Sequence, residues 1–309
     1  MIVTVTMNPA LDKTAAVRTL LPGALNRLED VRIDAGGKGV NVSRMIRVLG
    51  CRSVCTGFVG GDTGRELCRR LSEAGLENDF LPAGGVTRTN LKVVDGAGRL
   101  TEFNEPGVLV DAAALDALLQ KVLALAGQDG IVVLGGSLPQ GAPAATYRTF
   151  ARALRAAGCT VLLDADGDAF KLAMEAPPHI VKPNRFELLQ YCGLPESTPD
   201  AALPGLCRSL LAAGAEFVIL SLGGSGALFF TRGQEARAAA LPVKVLSAVG
   251  AGDSMVGAVA CARAQGLDFE QTVRLAMACA IGAVPTPGTN PPPAALVKTL
   301  QRQIELRPV

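Results

Sequence analysis

Asp253 stands in a glycine turn, Val249-Gly250-Ala251-Gly252-Asp253-Ser254, after an alternating β-branched run, Val243-Lys244-Val245-Leu246-Ser247, and before a small-residue helical segment, Met255 to Gln265. A strand, a glycine turn and a helix start in that order make an anion site. Glycine lets the backbone approach a phosphate with no Cβ in the way, and the free N–H groups of a first helical turn point at it, reinforced by the helix dipole. A carboxylate in such a hole repels phosphate rather than binding it. It is placed to take a proton from a hydroxyl that attacks the phosphate. A helix cap is the alternative role for Asp253, and this segment alone leaves both open.

A second glycine turn, Asp34-Ala35-Gly36-Gly37-Lys38-Gly39-Val40-Asn41, also runs into a helix. It is not a Walker P-loop, because Gly39 rather than Ser or Thr follows Lys38 and no glycine lies five residues before that lysine. Lys38 offers a positive point charge, and Asn41, one turn inside the helix, can present an amide to hydroxyls. Lys182-Pro183-Asn184-Arg185-Phe186-Glu187 follows an apolar strand. Asn184 and Glu187 share a helical face, which suits water-mediated contact to Mg²⁺ or, equally, a capping box. Ser221-Leu222-Gly223-Gly224-Ser225-Gly226 lies between two strands as either a hairpin turn or a backbone loop along a nucleotide.

The elements that must hold these residues alternate. Apolar runs Ile131–Leu134, Thr160–Asp164, His179–Val181 and Phe217–Leu220 read as buried strands. Helical spacing appears in Val42, Met45, Ile46 and Leu49, in Leu115, Leu118, Leu119 and Val122 after the cap Asp111, and in Val273, Met277 and Ala280 after Asp268. The pattern predicts an α/β fold, with a mostly parallel central sheet sandwiched by helices. Two extended segments, about 12–34 and 87–104, break the rhythm and predict a small separate β-sheet acting as a lid. Pro291-Pro292-Pro293 marks a turn before a last helix.

Composition narrows the classes. The chain has 309 residues, 49% of them hydrophobic, which suits one large α/β domain. A net charge of +2 with no basic run argues against nucleic acid, as does an aromatic content of 4%. Eight cysteines without a Cys-x-x-Cys read as reduced thiols in a cytoplasmic protein, and the lone His179 reads as structural. No apolar run reaches spanning length, and the first residues read as a strand, so no membrane partner is expected.

Taken in order, these segments resemble the ribokinase-like PfkB sugar kinases over essentially the whole chain. Asn8-Pro9-Ala10-Leu11-Asp12 is similar to that family's substrate-binding start. Gly36 to Val42 resembles its first signature and Val249 to Ser254 its second, and Lys182-Pro183-Asn184 with Glu187 resembles its magnesium and ATP-phosphate motif. Thr87 to Lys92, Glu102 to Gly107 and Gly136-Ser137-Leu138-Pro139 resemble the phosphosugar kinases within it.

The resemblance implies an ATP- and Mg²⁺-dependent kinase in one domain, 1–309, with a discontinuous lid. The expected reaction converts fructose 1-phosphate into fructose 1,6-bisphosphate, with tagatose 6-phosphate as the alternative acceptor. Asp253 would be the base, and the N–H groups of Gly250, Ala251 and Gly252 would form the anion hole. Asp12, Gly37 and Asn41 would grip sugar hydroxyls. Lys38, Arg88 and Lys92 would meet the phosphate already on the sugar, with Asn90, Asn104 and Ser137 beside them. Lys182 and Asn184 would bind ATP phosphates, and Asn184 with Glu187 would hold Mg²⁺ mainly through water. Ser221 to Gly226, with Gly252, Ala280 and Gly282, would border the nucleotide. A homodimer joined through the lids is also implied. A non-catalytic phosphosugar or nucleotide sensor is the rival from another class, and it has no need of Asp253. The run Asp164-Ala165-Asp166-Gly167-Asp168 departs from the family pattern and reads as a strand-end turn.

Overall fold

A computed structural model describes residues 1–309. In chain order its first elements are strands β1 (Ile2–Thr6), β2 (Ala10–Val17) and β3 (Glu29–Gly36), helix α1 (Lys38–Val48), β4 (Ser53–Val59) and α2 (Gly61–Glu73). Short strands β5 (Glu77–Asn78) and β6 (Leu81–Pro82) precede β7 (Arg88–Asp95), β8 (Leu100–Asn104) and α3 (Ala112–Ala126). The middle comprises β9 (Ile131–Gly135), α4 (Thr146–Ala156), β10 (Thr160–Asp164), α5 (Gly167–Ala173), β11 (Ile180–Val181), α6 (Arg185–Cys192) and α7 (Leu203–Ala212). Then follow β12 (Phe217–Ser221), β13 (Ala227–Thr231), β14 (Glu235–Ala238), α8 (Ala251–Gln265), α9 (Phe269–Ala283), α10 (Ala294–Gln301) and β15 (Leu306–Arg307).

The central sheet has the order β15-β14-β13-β12-β11-β10-β9-β1-β4-β5, parallel from β5 to β12 and antiparallel beyond. Helices cover both faces, which explains why the strands read as unbroken apolar runs. Val3, Val5, Val132, Leu134, Val161 and Leu163 pack into one core with α3, α4 and α7, whereas Ile2, Ile131, Val133 and Leu162 pack into the other with α8 and α9. Strand order reverses at β1, which lies between β4 and β9, so the crevice beyond the carboxyl ends of these strands is where a ligand fits an open α/β sheet.

Both extended segments join one four-stranded sheet, β3-β2-β7-β8. Its alternation is the one read from the residues. Asn90 and Lys92 project from the same face of β7, and both reach Asp12 on β2. Local signals set the helix starts. Asp111 accepts from Ala114 N to cap α3, and Asp268 with Gln271 forms a capping box at α9.

One expected strand is absent. Residues Val243–Ser247 form a loop, with Val245 and Leu246 68% and 57% exposed. The sheet edge beside β14 is occupied by β15, and the alternating run joins neither sheet. Its amides at Leu246 and Ser247 bond instead to Val284 O beyond α9. The helix that follows starts earlier than its apolar spacing suggests, at Ala251, which carries Asp253 into its first turn. No helix is long and apolar enough to cross a membrane.

Candidate active site

The carboxyl ends of the parallel strands and the inner face of the lid enclose one polar cleft. Thr6 and Asn8 line it from the end of β1, Gly37, Lys38 and Asn41 from α1, Ser137 from the end of β9, and Gly250 and Asp253 from α8. Asp12, Arg88, Asn90, Lys92 and Asn104 line it from the lid.

Asp253 is not the cap of its helix. The N-cap is Gly250, whose φ of 87° is left-handed, and no side chain caps that end. A Cβ on Gly250 would also meet Thr289 Cα at 3.3 Å. Ala251 N reaches Ala248 O only at 3.4 Å, while the amides of Gly250, Gly252 and Asp253 have no backbone acceptor. This is the open first turn that an anion requires. Lys182 lies directly beneath, since a Cβ on Gly252 would stand 3.3 Å from its Nζ.

The Asp253 carboxyl is buried and accepts a 2.8 Å hydrogen bond from Asn41 Nδ2. Burial, and then the charge of Asp164, push its pKa up to about 6, while Asn41, Lys38 and Lys182 pull the other way. Asp164, at the end of β10, is a buried anion shared by two lysines, with Lys38 Nζ at 2.9 Å and Lys182 Nζ at 3.4 Å. Burial works against the Asp164 charge, but the two lysines outweigh it and hold the carboxyl below the usual range. Burial likewise disfavours the Lys38 charge, and Asp164, Asp253 and Glu187 more than compensate, raising its pKa.

The three cations expected at the sugar phosphate differ in their partners. Lys38 is engaged with Asp164, and Lys92 is engaged with Asp12 at 3.2 Å. Arg88 alone of the three has no acidic partner, and donates to Asn8 O and to Ser137 Oγ at 3.2 and 3.3 Å. Asp12 also accepts from Asn90 Nδ2 at 3.0 Å. Asn104 pairs in register with Asn90 across the lid. Three buried acceptors have no donor: Thr6 Oγ1, Asn8 Oδ1 and Asn90 Oδ1. All three belong to residues that line this cleft, and such atoms are costly unless something donates to them.

The nucleotide-side residues adjoin along neighbouring strand ends. Ser221 bridges to Asn184, and its amide donates to Pro183 O, so the Lys182-Pro183-Asn184 run and the turn Ser221 to Gly226 lie side by side. That turn is a short 3₁₀ segment, Gly223–Ser225, joining β12 to β13. Asn184 and Glu187 do form a capping box: Asn184 Oδ1 accepts from Glu187 N at 2.9 Å, and Glu187 Oε2 accepts from Asn184 N at 2.8 Å. Only Oε1 of the buried Glu187 carboxyl is left without a donor, and no group of three or more His, Cys, Asp and Glu could cage a metal. A hydrated Mg²⁺ held through water fits this donor set, and a directly ligated one does not.

Ala280 and Gly282, expected beside the nucleotide, lie on α9 outside the lining of this polar cleft. They are packed in the core, and a Cβ on Gly282 would lie 2.9 Å from Pro292 and 3.3 Å from Leu300. Asp164, Arg44, Thr6 and Thr289 were missed as site residues. For Asp164 a signal existed, namely a carboxylate ending an apolar parallel strand at the ligand-bearing edge.

Residues 5–295 match the pfkB family carbohydrate kinases. The chain is 38% identical to a 1-phosphofructokinase of Rhodobacter capsulatus, over 99% of this chain and 97% of that one. It is 37% identical to a 1-phosphofructokinase of Bacillus subtilis, over 89% of each. Its fold is similar to phosphofructokinase-2 from Escherichia coli in complex with substrates and products, with a TM-score of 0.91, 29% identity and 98% of each chain covered.

The buried Asp253 carboxyl carries a stability cost with a definite sign. The folded carboxyl titrates near 6, above the ordinary value of 3.8, so ionising it in place opposes folding as pH rises through that window. Asp253→Asn should therefore melt roughly 3 °C or more above the parent at pH 8, with the gap narrowing below about pH 6 and closing toward pH 4. Thermal melts of both proteins across that range check it. An equal or lower melting temperature for the variant at pH 8 contradicts a raised carboxyl.

Proposed function

The chain belongs to the pfkB family of carbohydrate kinases, and from this premise we propose that it transfers the γ-phosphoryl group of ATP to fructose 1-phosphate, giving fructose 1,6-bisphosphate and ADP. The observation that carries the reading is the open first turn of α8, with a buried carboxyl of raised pKa inside it and Lys182 beneath it.

In this reading the acceptor hydroxyl loses its proton to Asp253 as its oxygen bonds to the γ-phosphorus. The bond from phosphorus to the bridging oxygen breaks, and ADP leaves with that electron pair. Amides of Gly250, Ala251 and Gly252 stabilise the charge on the transferring group. Lys38 and Lys182, held ready by Asp164, supply positive charge on the same side. Asn184 and Glu187 would hold Mg²⁺ through water, and that ion would neutralise phosphate charge. Ser221 to Gly226 would border the nucleotide.

On the acceptor side, Asp12, Gly37 and Asn41 meet sugar hydroxyls, and the undonated oxygens of Thr6, Asn8 and Asn90 suit further hydroxyl donors. Arg88, with its guanidinium free of carboxylates and beside Ser137, is the anchor for the phosphate already on the sugar. Lys92 and Asn104 complete that end. Closure of the lid, made of β2, β3, β7 and β8, would exclude water from the transfer.

The relatives' shared name favours fructose 1-phosphate over tagatose 6-phosphate as acceptor. A coupled assay of the purified protein against fructose 1-phosphate, tagatose 6-phosphate, fructose 6-phosphate and ribose tests the reading, and a preference for any but the first overturns it.

Asp253 titrating near 6 sets the pH profile, since only the ionised base accepts a proton. kcat/KM should fall below a midpoint of about 6, and Asp253→Asn should lose at least ~100-fold in kcat while still binding ATP. Near-normal turnover in the variant rules the base out. Arg88→Ala should reduce kcat/KM for fructose 1-phosphate ~10-fold or more with little change in ATP binding, because a charge-assisted bond is worth roughly 1.5–3 kcal/mol. Equal losses toward both substrates would place Arg88 wrongly.

The lid also exposes apolar side chains, including Leu25 at 78%, Phe103 at 52% and Leu100 at 49%. A second copy covering them through the lids is the proposed assembly. Sedimentation at micromolar concentration should give a dimer, and Phe103→Glu a monomer. A monomeric parent protein contradicts the arrangement.

A further inference from the structure

We propose that Arg44 is the positioning residue that locks the base, the anion turn and the lid strand into one unit, an inference that rests on Asp253 acting as the base. Arg44 lies three residues beyond Asn41 on α1, so both side chains share a helix face. Its guanidinium makes three kinds of contact, all to neutral oxygens. Nη1 donates to Asn41 Oδ1 at 3.1 Å and to Thr289 Oγ1 at 3.3 Å, and Nη2 donates to Ala35 O.

Each contact reaches a different part of the site. An amide whose oxygen is held by Arg44 must turn its nitrogen the other way, and Asn41 Nδ2 does point at Asp253 Oδ2, 2.8 Å distant. Released, the same amide can present its oxygen to the carboxylate, where it repels. Thr289 backs the anion turn, since its Cα stands 3.3 Å from the place of a Cβ on Gly250. Ala35 is near the end of lid strand β3, immediately before Gly36, and a Cβ on Gly36 would stand 2.5 Å from Asp12 Oδ2.

The energetics point the same way. A guanidinium does not shed its charge, and burying one without an ion pair is expensive. Arg44 is largely buried, and no carboxylate lies in ion-pair reach of it, although the field of Asp34 and Asp12 offsets some of the burial. Three acceptors in diverging directions require a planar fork, which a lysine ammonium at the same site does not reproduce.

Four groups face Asp253: Asn41 and Lys38 from α1, Asp164 from the end of β10, and Lys182 beyond β11. Arg44 acts on Asp253 through Asn41, and this separates it from a plain charge effect. The test is the pH dependence of kcat/KM for fructose 1-phosphate in Arg44→Ala, Arg44→Lys, Asn41→Ala and the double variant Arg44→Ala with Asn41→Ala, with Asp253→Asn as reference.

Arg44→Ala should lose ~10-fold or more in kcat, with the KM for ATP within about threefold, and its acid limb should move up by roughly half a pH unit, because a donor to the carboxylate is lost. In the Asn41→Ala background the same change should move the limb no further. Arg44→Lys should also show the upward displacement, and it carries the test if Arg44→Ala does not fold. An unmoved limb in Arg44→Ala, full rescue by lysine, or an equal displacement without Asn41 overturns the proposal. Near-normal turnover in Asp253→Asn would instead remove the base reading beneath it, so the two failures are distinguishable.

Discussion

Two buried carboxylates beside two lysines are the constraint on which this site depends. Asp253 and Asp164 face each other through the same buried space, and neither can be neutralised by bulk water. The lysines resolve the conflict unequally. Lys38 and Lys182 both bond to Asp164, which stays ionised below its usual range. Asp253 receives only an amide hydrogen bond, and its proton affinity rises. One acid thus stays charged beside two cations, while the other has its proton affinity raised toward neutral pH, as the proposed base role requires. A kinase needs both, because its substrates bring several negative charges into a site that must be positive without being unstable when empty.

The fold supplies these groups from distant parts of the chain. β1, β9, β10, β11 and β12 are adjacent and parallel, so their carboxyl ends deliver Asn8, Ser137, Asp164, Lys182 and Ser221 to one edge. α1 and α8 then pack together on one face of that edge. A Cβ on Gly257 of α8 would stand 2.9 Å from Met45 Cβ, which explains the need for a glycine there and brings Asn41 within reach of Asp253. The lid sheet is built from two insertions into this frame. It carries its own ion pair, Asp12 with Lys92, while its Arg88 has no acidic partner and reaches Ser137.

Much of this was legible in the residues because it is local. Glycines before a helix, a cap at Asp111 or Asp268, and the alternation of Asn90 with Lys92 are short-range consequences of backbone geometry. What escaped the sequence is long-range. Lys38 and Asp164 are 126 residues apart, and Asn41 and Asp253 are 212 apart, so no spacing announces that they meet. Arg44 looks like an ordinary polar residue on a helix until the loop at Thr289 folds over it. The Val243–Ser247 run misled for the opposite reason: its local pattern favours a strand, but its amides at Leu246 and Ser247 bond to Val284 O rather than to a neighbouring strand. Ala280 and Gly282 lie in the packed part of α9, where periodicity marks a buried face without telling which neighbour buries it.

The central claim is that Asp253 is a carboxyl whose proton affinity is raised into the working range. Carbon-13 NMR of protein labelled at the aspartate side-chain carboxyl measures this directly, with the spectrum of Asp253→Asn assigning the resonance. The account predicts a signal missing from the variant that titrates with a midpoint near 6 in the parent protein. A midpoint at the ordinary aspartate value of about 4 or below would contradict it.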